Sequence, residues 1–350
     1  MTDTNSSFVL SRRGVLALGA AAGAFGTGLA APAVVKAAER PEIVRIGYLT
    51  AARAWTIGKT DGAFDKALGV KVEWVPFPAG GPALSLLAAK QIDFAIFGNT
   101  PIVAGISRKL PIQVLGSPEI VATSERLIAK PGIATLKDLE GKRIAVAPSS
   151  TMAFALEAAI RINKLDSASI RRLPLTQPDT IAAWRRGDID ATYINGPFWS
   201  ELLAGGGKQL LASKDLQPDG VFVWNSAVVR AEFAERYPET VVAWLRTVQA
   251  QFNRYKADPE DVSRALAQHF GAPFEAVRDT LAGLNYPTFE EQLGPKYWGD
   301  GTNPDQAPLV KALGSAADFL AQTGELKRDG LPASFAPYVN YELLRRAFLA

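Results

Sequence analysis

The chain has 350 residues, 48% hydrophobic and 21% charged, which is enough for two domains with a sizeable core. It contains no cysteine, which excludes disulfides, thiolate metal sites and cysteine nucleophiles. The formal charge of +3 falls to +1 once Arg12, Arg13, Lys36 and Asp3 of segment 1–37 are set aside, so no nucleic-acid partner is expected.

Segment 1–37 reads as a twin-arginine signal peptide. Ser11-Arg12-Arg13-Gly14-Val15-Leu16 leads into a weakly apolar stretch rich in Gly and Ala, and small residues offer cleavage sites at Ala31-Pro32-Ala33 or Val35-Lys36-Ala37. The stretch has too little Leu, Ile and Phe for a good membrane anchor, and no later segment is apolar for long enough to span a bilayer.

Downstream, an apolar alternation over 42–48 predicts the first strand, and a helical pattern runs over 52–68 up to Gly69. Residues 70–77 form a second strand, closed by Pro78 and Gly80-Gly81, and 83–90 a helix. The run Phe94-Ala95-Ile96-Phe97 is a buried strand that breaks at Gly98. Asn99 or Thr100 then supplies a capping oxygen, with Pro101 suited to the first helical turn. Another strand covers 112–115. This β-α-β-α-β order implies a parallel sheet, whose ligands sit beyond the carboxyl ends of its strands.

The middle of the chain repeats that logic. A short helix over 135–139 precedes Gly141 and a strand over 143–147, and Pro148-Ser149-Ser150-Thr151 opens a helix to 162. Strand 170–173, helix 178–186 stopped by Gly187, and strand 191–194 follow. Asn195-Gly196-Pro197 opens a helix to 203. Residues 221–229 read as a strand leading back to the first lobe. From Ala231 the chain turns mostly helical, with segments at 239–258, around 265, at 308–323 and at 341–349 that should cover the first sheet. The expected architecture is α/β in two lobes: a discontinuous lobe 1 from 41–125 and 230–350, and an inserted lobe 2 from 126–229, with a cleft between.

Two strand-to-helix turns, Gly98-Asn99-Thr100 and Ser149-Ser150-Thr151, are anion cradles in this reading. Each offers helix-terminal N–H groups and hydroxyls without a net charge. Trp55, Tyr193, Asn195 and Trp224 fall at the ligand edge of the strands, and the aromatic faces suit an aliphatic or ammonium end of a ligand. Arg53 and Glu290 are further candidates for reaching the ligand. No catalytic constellation emerges, because the one histidine, His269, cannot be placed beside any of these serines. No metal-ligand spacing and no phosphate loop is visible, so neither metal nor cofactor is expected.

Several motifs then carry a family resemblance: Gly141-Lys142-Arg143-Ile144-Ala145-Val146, Ser150-Thr151, Ile181-Ala182-Ala183-Trp184-Arg185-Arg186-Gly187-Asp188-Ile189-Asp190 and Val223-Trp224. With them, and over most of the chain after residue 37, the sequence resembles the periplasmic solute-binding proteins of ABC importers for taurine, other sulfonates and nitrate. It is most similar to the taurine-binding branch. Gly98-Asn99-Thr100-Pro101 resembles that family's Gly-Ser-Ser-Pro turn. The resemblance implies a two-lobed, type II periplasmic binding protein fold with parallel-rich sheets, which closes on a small anion and docks with an inner-membrane ABC permease. It also implies a non-enzymatic periplasmic protein, here a monomer, that holds a sulfonate with backbone N–H groups and hydroxyls.

Three departures bear on the ligand. Phe222 stands where the taurine-binding pattern has an acidic residue suited to the ammonium. The family's Ser-Thr-Thr-His becomes Ser150-Thr151-Met152-Ala153, and a tryptophan becomes Asn195. A buried ammonium without its carboxylate is costly, so an alkyl or aryl sulfonate lacking an amine competes with taurine. Other readings of the same frame are nitrate, a heteroaromatic thiamine-pyrimidine type of precursor stacked on Trp55, Trp184 and Tyr193, or an enzyme with Glu290, Glu291, Asp188 or His269 as its base.

Overall fold

The computed structural model describes residues 39–349, and the export signal expected over 1–37 lies outside the described residues. Strands β1 (Ile43–Leu49), β2 (Lys71–Phe77), β3 (Phe94–Gly98), β4 (Ile112–Val114) and β5 (Glu119–Val121) come first. They are followed by β6 (Glu125–Ala129), β7 (Arg143–Val146), β8 (Arg171–Pro174), β9 (Ala191–Asn195) and β10 (Lys208–Ala212). Strands β11 (Trp224–Arg230) and β12 (Leu284–Asn285) complete the set.

These strands form two mixed sheets. The first has the order β12-β5-β11-β3-β1-β2, with β4 also pairing β11, and the second the order β10-β6-β9-β7-β8. Strands β2, β1 and β3 are parallel neighbours, as are β8, β7 and β9. Their carboxyl ends therefore gather on one edge of each sheet, which is where such folds hold ligands. Strand β3 is buried on both faces from Phe94 to Phe97, as its unbroken apolar run predicts, and Phe94 stacks on Trp244 of the covering helix Pro238–Ala257.

Among the described residues the chain passes between the sheets at 122–124 and again at 213–223. The two passages run side by side, since the Val121 N–H donates to the Val223 carbonyl at 2.9 Å. Strand β11, read as leading back to the first lobe, pairs antiparallel with β3 in the first sheet, so the first sheet already takes up the chain from Trp224. Glu125, expected to close the first segment, instead opens β6 of the second sheet.

The long helix expected over 52–68 is broken into a 3-10 turn Ala54–Thr56 and two short helices, Ile57–Thr60 and Ala63–Leu68. Gly62 between them adopts φ of +68°, and the Asp61 carboxylate accepts the Ala63 N–H, so a turn displaces the continuous helix. By contrast, helix Gln177–Arg186 follows its signals. The Thr176 hydroxyl accepts the Asp179 N–H, and Gly187 ends the helix at φ of +83°.

Candidate functional site

A cleft opens where the carboxyl ends of both sheets face each other. On one side it is lined by Leu49, Arg53, Pro78, Ala79, Gly80, Ile96, Phe97, Gly98 and Pro101. On the other stand Glu125, Ser150, Thr151, Met152, Gln177 and Asn195, with Asn225 between them on β11. Helices Gly80–Ala88, Asn99–Ser107 and Thr151–Ile162 all begin at this cleft, so three positive dipole ends are brought together there. The free space is only about 40 Å³, room for no more than a few waters. A larger hollow of about 530 Å³ lies at the opposite edge, around Arg45, Asp93 and Arg230. Its Arg230–Asp93 pair, 2.5 Å apart, also satisfies the Arg45 N–H through Asp93, so it reads as a structural ion-pair cluster.

Gly98 and Thr151 meet across the cleft. A Cβ added to Gly98 would sit 2.5 Å from the Thr151 Cγ2, so a larger residue here presses on the opposite side of the cleft. Thr151 in turn donates its hydroxyl to Glu125 Oε1 at 2.6 Å. Ser150 caps the helix: its Oγ accepts the Ala153 N–H at 3.1 Å and donates to the Ala147 carbonyl at 2.6 Å. That hydroxyl is committed to the backbone, so the donors left for a ligand are the amides of Thr151 and Met152 in the first turn, which have no intrahelical acceptor.

Arg53 supplies the positive charge. It is 6% exposed, lines the cleft, and donates through Nη1 to the Ala52 carbonyl at 2.9 Å. Behind it Glu119 Oε2 lies 3.5 Å from the Arg53 Nε and accepts the Asn225 side-chain N–H at 2.8 Å. Burial raises the Glu119 carboxyl above its ordinary range, with Arg53 and Asn225 opposing. Burial likewise pushes Glu125 up to about 7, against the Thr151 hydrogen bond, the Arg53 charge and the nearby Ser213 hydroxyl. Glu125 Oε2 and Asn195 Oδ1 are buried with no hydrogen-bond partner, and the two residues face each other across the β6–β9 ladder.

Of the ten residues expected at the site, Gly98, Ser150, Thr151 and Asn195 line the cleft. Asn99 and Thr100 lie just behind it. Asn99 Oδ1 accepts the Trp224 N–H at 3.4 Å, and the Thr100 hydroxyl is buried without a partner. Ser149 turns away, with φ of +51°, and donates to Glu325 Oε2 at 3.0 Å.

The three aromatics expected at the site do not line the cleft. Trp55 is 1% exposed and packs against Trp74 and Phe64 in the first core. Tyr193 is equally buried, its hydroxyl hydrogen-bonded to Ser213 Oγ at 2.9 Å, and Trp224 donates its indole N–H to Ser226 Oγ at 3.0 Å. Each occupies a strand or turn at the correct edge but points into a core instead of the cleft. Trp184 also packs in a core, with Ile181 and Trp199.

The bases weighed for an enzyme are not gathered at the cleft. Glu290 and Glu291 are exposed, Glu291 closing a capping box with Thr288. Asp188 pairs with Arg186 at the surface, and His269 contacts Lys59. Phe222 is 41% exposed and takes no part in the lining. The carboxylates that do belong to the site, Glu119 and Glu125, were not among the expected residues. Each lies in a short strand whose charged residue hides it from an apolar-run search.

Two α/β layers facing across a cleft, joined by paired crossings, define the periplasmic binding protein fold. Residues 42–270 match the family model of the substrate-binding domain of ABC-type glycine betaine transport systems. The taurine-binding periplasmic protein of Escherichia coli (strain K12) is 30% identical over 305 residues, covering 85% of this chain and 90% of that protein. The chain belongs to this family of ABC-importer substrate-binding proteins. Among solved structures, the alkanesulfonate-binding protein SsuA from Xanthomonas axonopodis pv. citri, bound to MOPS, superposes with a TM-score of 0.72 at 22% identity, over 87% of this chain and 99% of that one. The fold also serves an enzyme: the desulfurization enzyme DSZB superposes with a TM-score of 0.62 at 13% identity, over 88% and 99% of the two chains.

Proposed function

We propose that this protein is an exported receptor that captures a small sulfonate between two lobes and delivers it to an ABC permease in the inner membrane. In this reading the signal at 1–37 directs twin-arginine export to the periplasm, and the lobes meet at the paired crossings near residues 122–124 and 213–223. The observation that carries it is the cleft itself. The buried Arg53 guanidinium and the free amides of Thr151 and Met152 converge on a narrow space at the carboxyl ends of both sheets. A guanidinium and helix-terminal amides fit the oxygens of a sulfonate, and burial strengthens both.

A small acyclic ligand suits this cleft better than a stacked ring. Phe97 is the one aromatic side chain of the lining, and Trp55, Trp184 and Tyr193 lie in cores. The non-enzymatic reading rests on the family and on the dispersal of Glu290, Glu291, Asp188 and His269 away from the cleft.

Titration calorimetry with alkanesulfonates, taurine, sulfate, nitrate and carboxylates tests the proposal. Sulfonates should bind and should raise the melting temperature, more so the tighter they bind. Arg53→Ala should weaken binding by about 10- to 100-fold, the range for a lost charge-assisted bond. Silence of every sulfonate while another ligand class binds would remove the sulfonate assignment.

A further inference from the structure

Glu125 occupies an unusual position for an anion site. Its carboxyl is bonded through Oε1 to the Thr151 hydroxyl, at the first residue of the helix whose free amides form the anion seat. Its other oxygen, Oε2, is buried without a partner on a residue only 5% exposed that lines the same cleft. A sulfonate seated on the Thr151 and Met152 amides therefore comes to rest beside this carboxyl. Two anions brought together out of water cannot both stay ionised cheaply, and the more basic one takes a proton. A sulfonate is a far weaker base than a carboxylate, so the proton goes to Glu125.

The neighbouring groups leave Glu125 as the one that yields. The Arg53 charge is shared with Glu119 on β5, which lies 3.5 Å away and is itself held by Asn225. On β9, Tyr193 is hydrogen-bonded to Ser213, and burial raises its hydroxyl, so it stays neutral. Tyr286, beside Glu119, is raised in the same way. Arg126, the next residue of β6, is turned onto the Trp199 ring at 3.6 Å and donates to the Thr123 carbonyl. Asp215, in the 3-10 segment that carries Ser213, accepts the Ala212 N–H. None of these supplies a second free cation to keep an ionised Glu125 beside a bound anion.

We propose that Glu125 is a specificity-determining carboxyl that couples capture of a monoanionic sulfonate to uptake of one proton from solvent. Protonated, it presents an O–H at Oε2 that donates to a sulfonate oxygen; ionised, it repels the ligand. The cleft thus favours a ligand that is anionic at the seat formed by the Thr151 and Met152 amides and carries no cation beside Glu125. The inference rests on the sulfonate reading of the cleft and adds the protonation state to it.

The test is calorimetry of the wild-type protein with ethanesulfonate and hexanesulfonate, probes that remain singly charged between pH 5.5 and 8.5, in two buffers of different ionisation enthalpy. Wild-type affinity should be nearly flat below about pH 6 and weaken toward about tenfold per pH unit above about pH 7, with close to one proton taken up at pH 8. In Glu125→Gln, whose amide N–H donates at every pH, affinity should hold through pH 8.5 and proton uptake should vanish. Sulfonate binding with no proton uptake, or binding that strengthens as pH rises, overturns the linkage and leaves the sulfonate reading standing. No binding of either probe at any pH overturns the sulfonate reading and the linkage with it. The proton count needs only the wild-type protein, so the test survives a Glu125→Gln variant that fails to fold.

Discussion

At the scale of single residues, the buried Glu125 carboxyl makes stability depend on pH before any ligand is considered. Glu125 has a folded pKa of about 7 against an ordinary value of 4.5, so folding takes up a proton between those limits. Its contribution is most favourable below about pH 4.5 and is lost as pH rises toward 7, a change on the order of 3 kcal/mol. Urea unfolding at pH 5 and pH 8 should therefore show Glu125→Gln gaining on the wild type at the higher pH by about 1–3 kcal/mol. Equal differences at both pH values would contradict the burial argument. Gly98 makes a steric prediction. Its φ of −60° admits alanine, but the new Cβ would press on Thr151 across the cleft. Gly98→Ala should leave stability within about 1 kcal/mol while weakening ligand binding; calorimetry beside a thermal melt separates the two effects. Residue roles were only partly legible in the sequence. The turn at Gly98 and the helix start at Thr151 could be found because capping chemistry is local. Which face Trp55, Tyr193 or Trp224 presents depends on packing against distant segments, and an aromatic at a strand's carboxyl end fits a core as well as a cleft.

At the scale of elements, the helix Thr151–Ile162 shows how one start signal serves two purposes. Ser150 satisfies the Ala153 N–H with its side chain and the Phe154 N–H with its carbonyl, which leaves the earlier amides of the turn to face the cleft. Ser150→Ala should cost about 1 kcal/mol of stability, the usual value of a lost cap, with a smaller loss in affinity than Arg53→Ala gives. A chemical denaturation curve and a binding isotherm of the same variant check this. A larger affinity loss than that of Arg53→Ala would mean that the hydroxyl itself touches the ligand. Most parallel strands and their helices were readable from apolar runs closed by Gly, Pro or Ser. Apart from the two-residue β12, the strands that were not readable are β5, β6 and β10. They are short and carry Glu119, Glu125 and Lys208, and antiparallel pairing with distant partners defines them. Two of these three strands bring the unpredicted carboxyls to the site, so the missed elements and the missed residues have one cause.

At the scale of the whole molecule, the narrow cleft implies movement. With about 40 Å³ free between the two sides, a sulfonate enters only if they part, and hinge closure about paired crossings is the motion such a frame permits. The helix Pro308–Gln322 bears on that motion, because it packs on helix Asn99–Ser107 of one side and on helix Thr151–Ile162 of the other. Phe319 meets Phe154 edge to face at 4.9 Å, and beyond the helix Glu325 accepts the Ser149 hydroxyl at 3.0 Å. These contacts join the two sides, so they favour the closed arrangement. Phe319→Ala removes an aromatic pair worth about 0.5–1.5 kcal/mol. If that pair is lost on opening, the substitution raises the ligand dissociation rate by about 2- to 10-fold. Stopped-flow release of a bound sulfonate should show this rise. Small-angle scattering of the ligand-free variant should show a larger radius of gyration than the wild type. An unchanged release rate in a variant with a lowered melting temperature would assign Phe319 to the core alone and place the control of opening at the crossings.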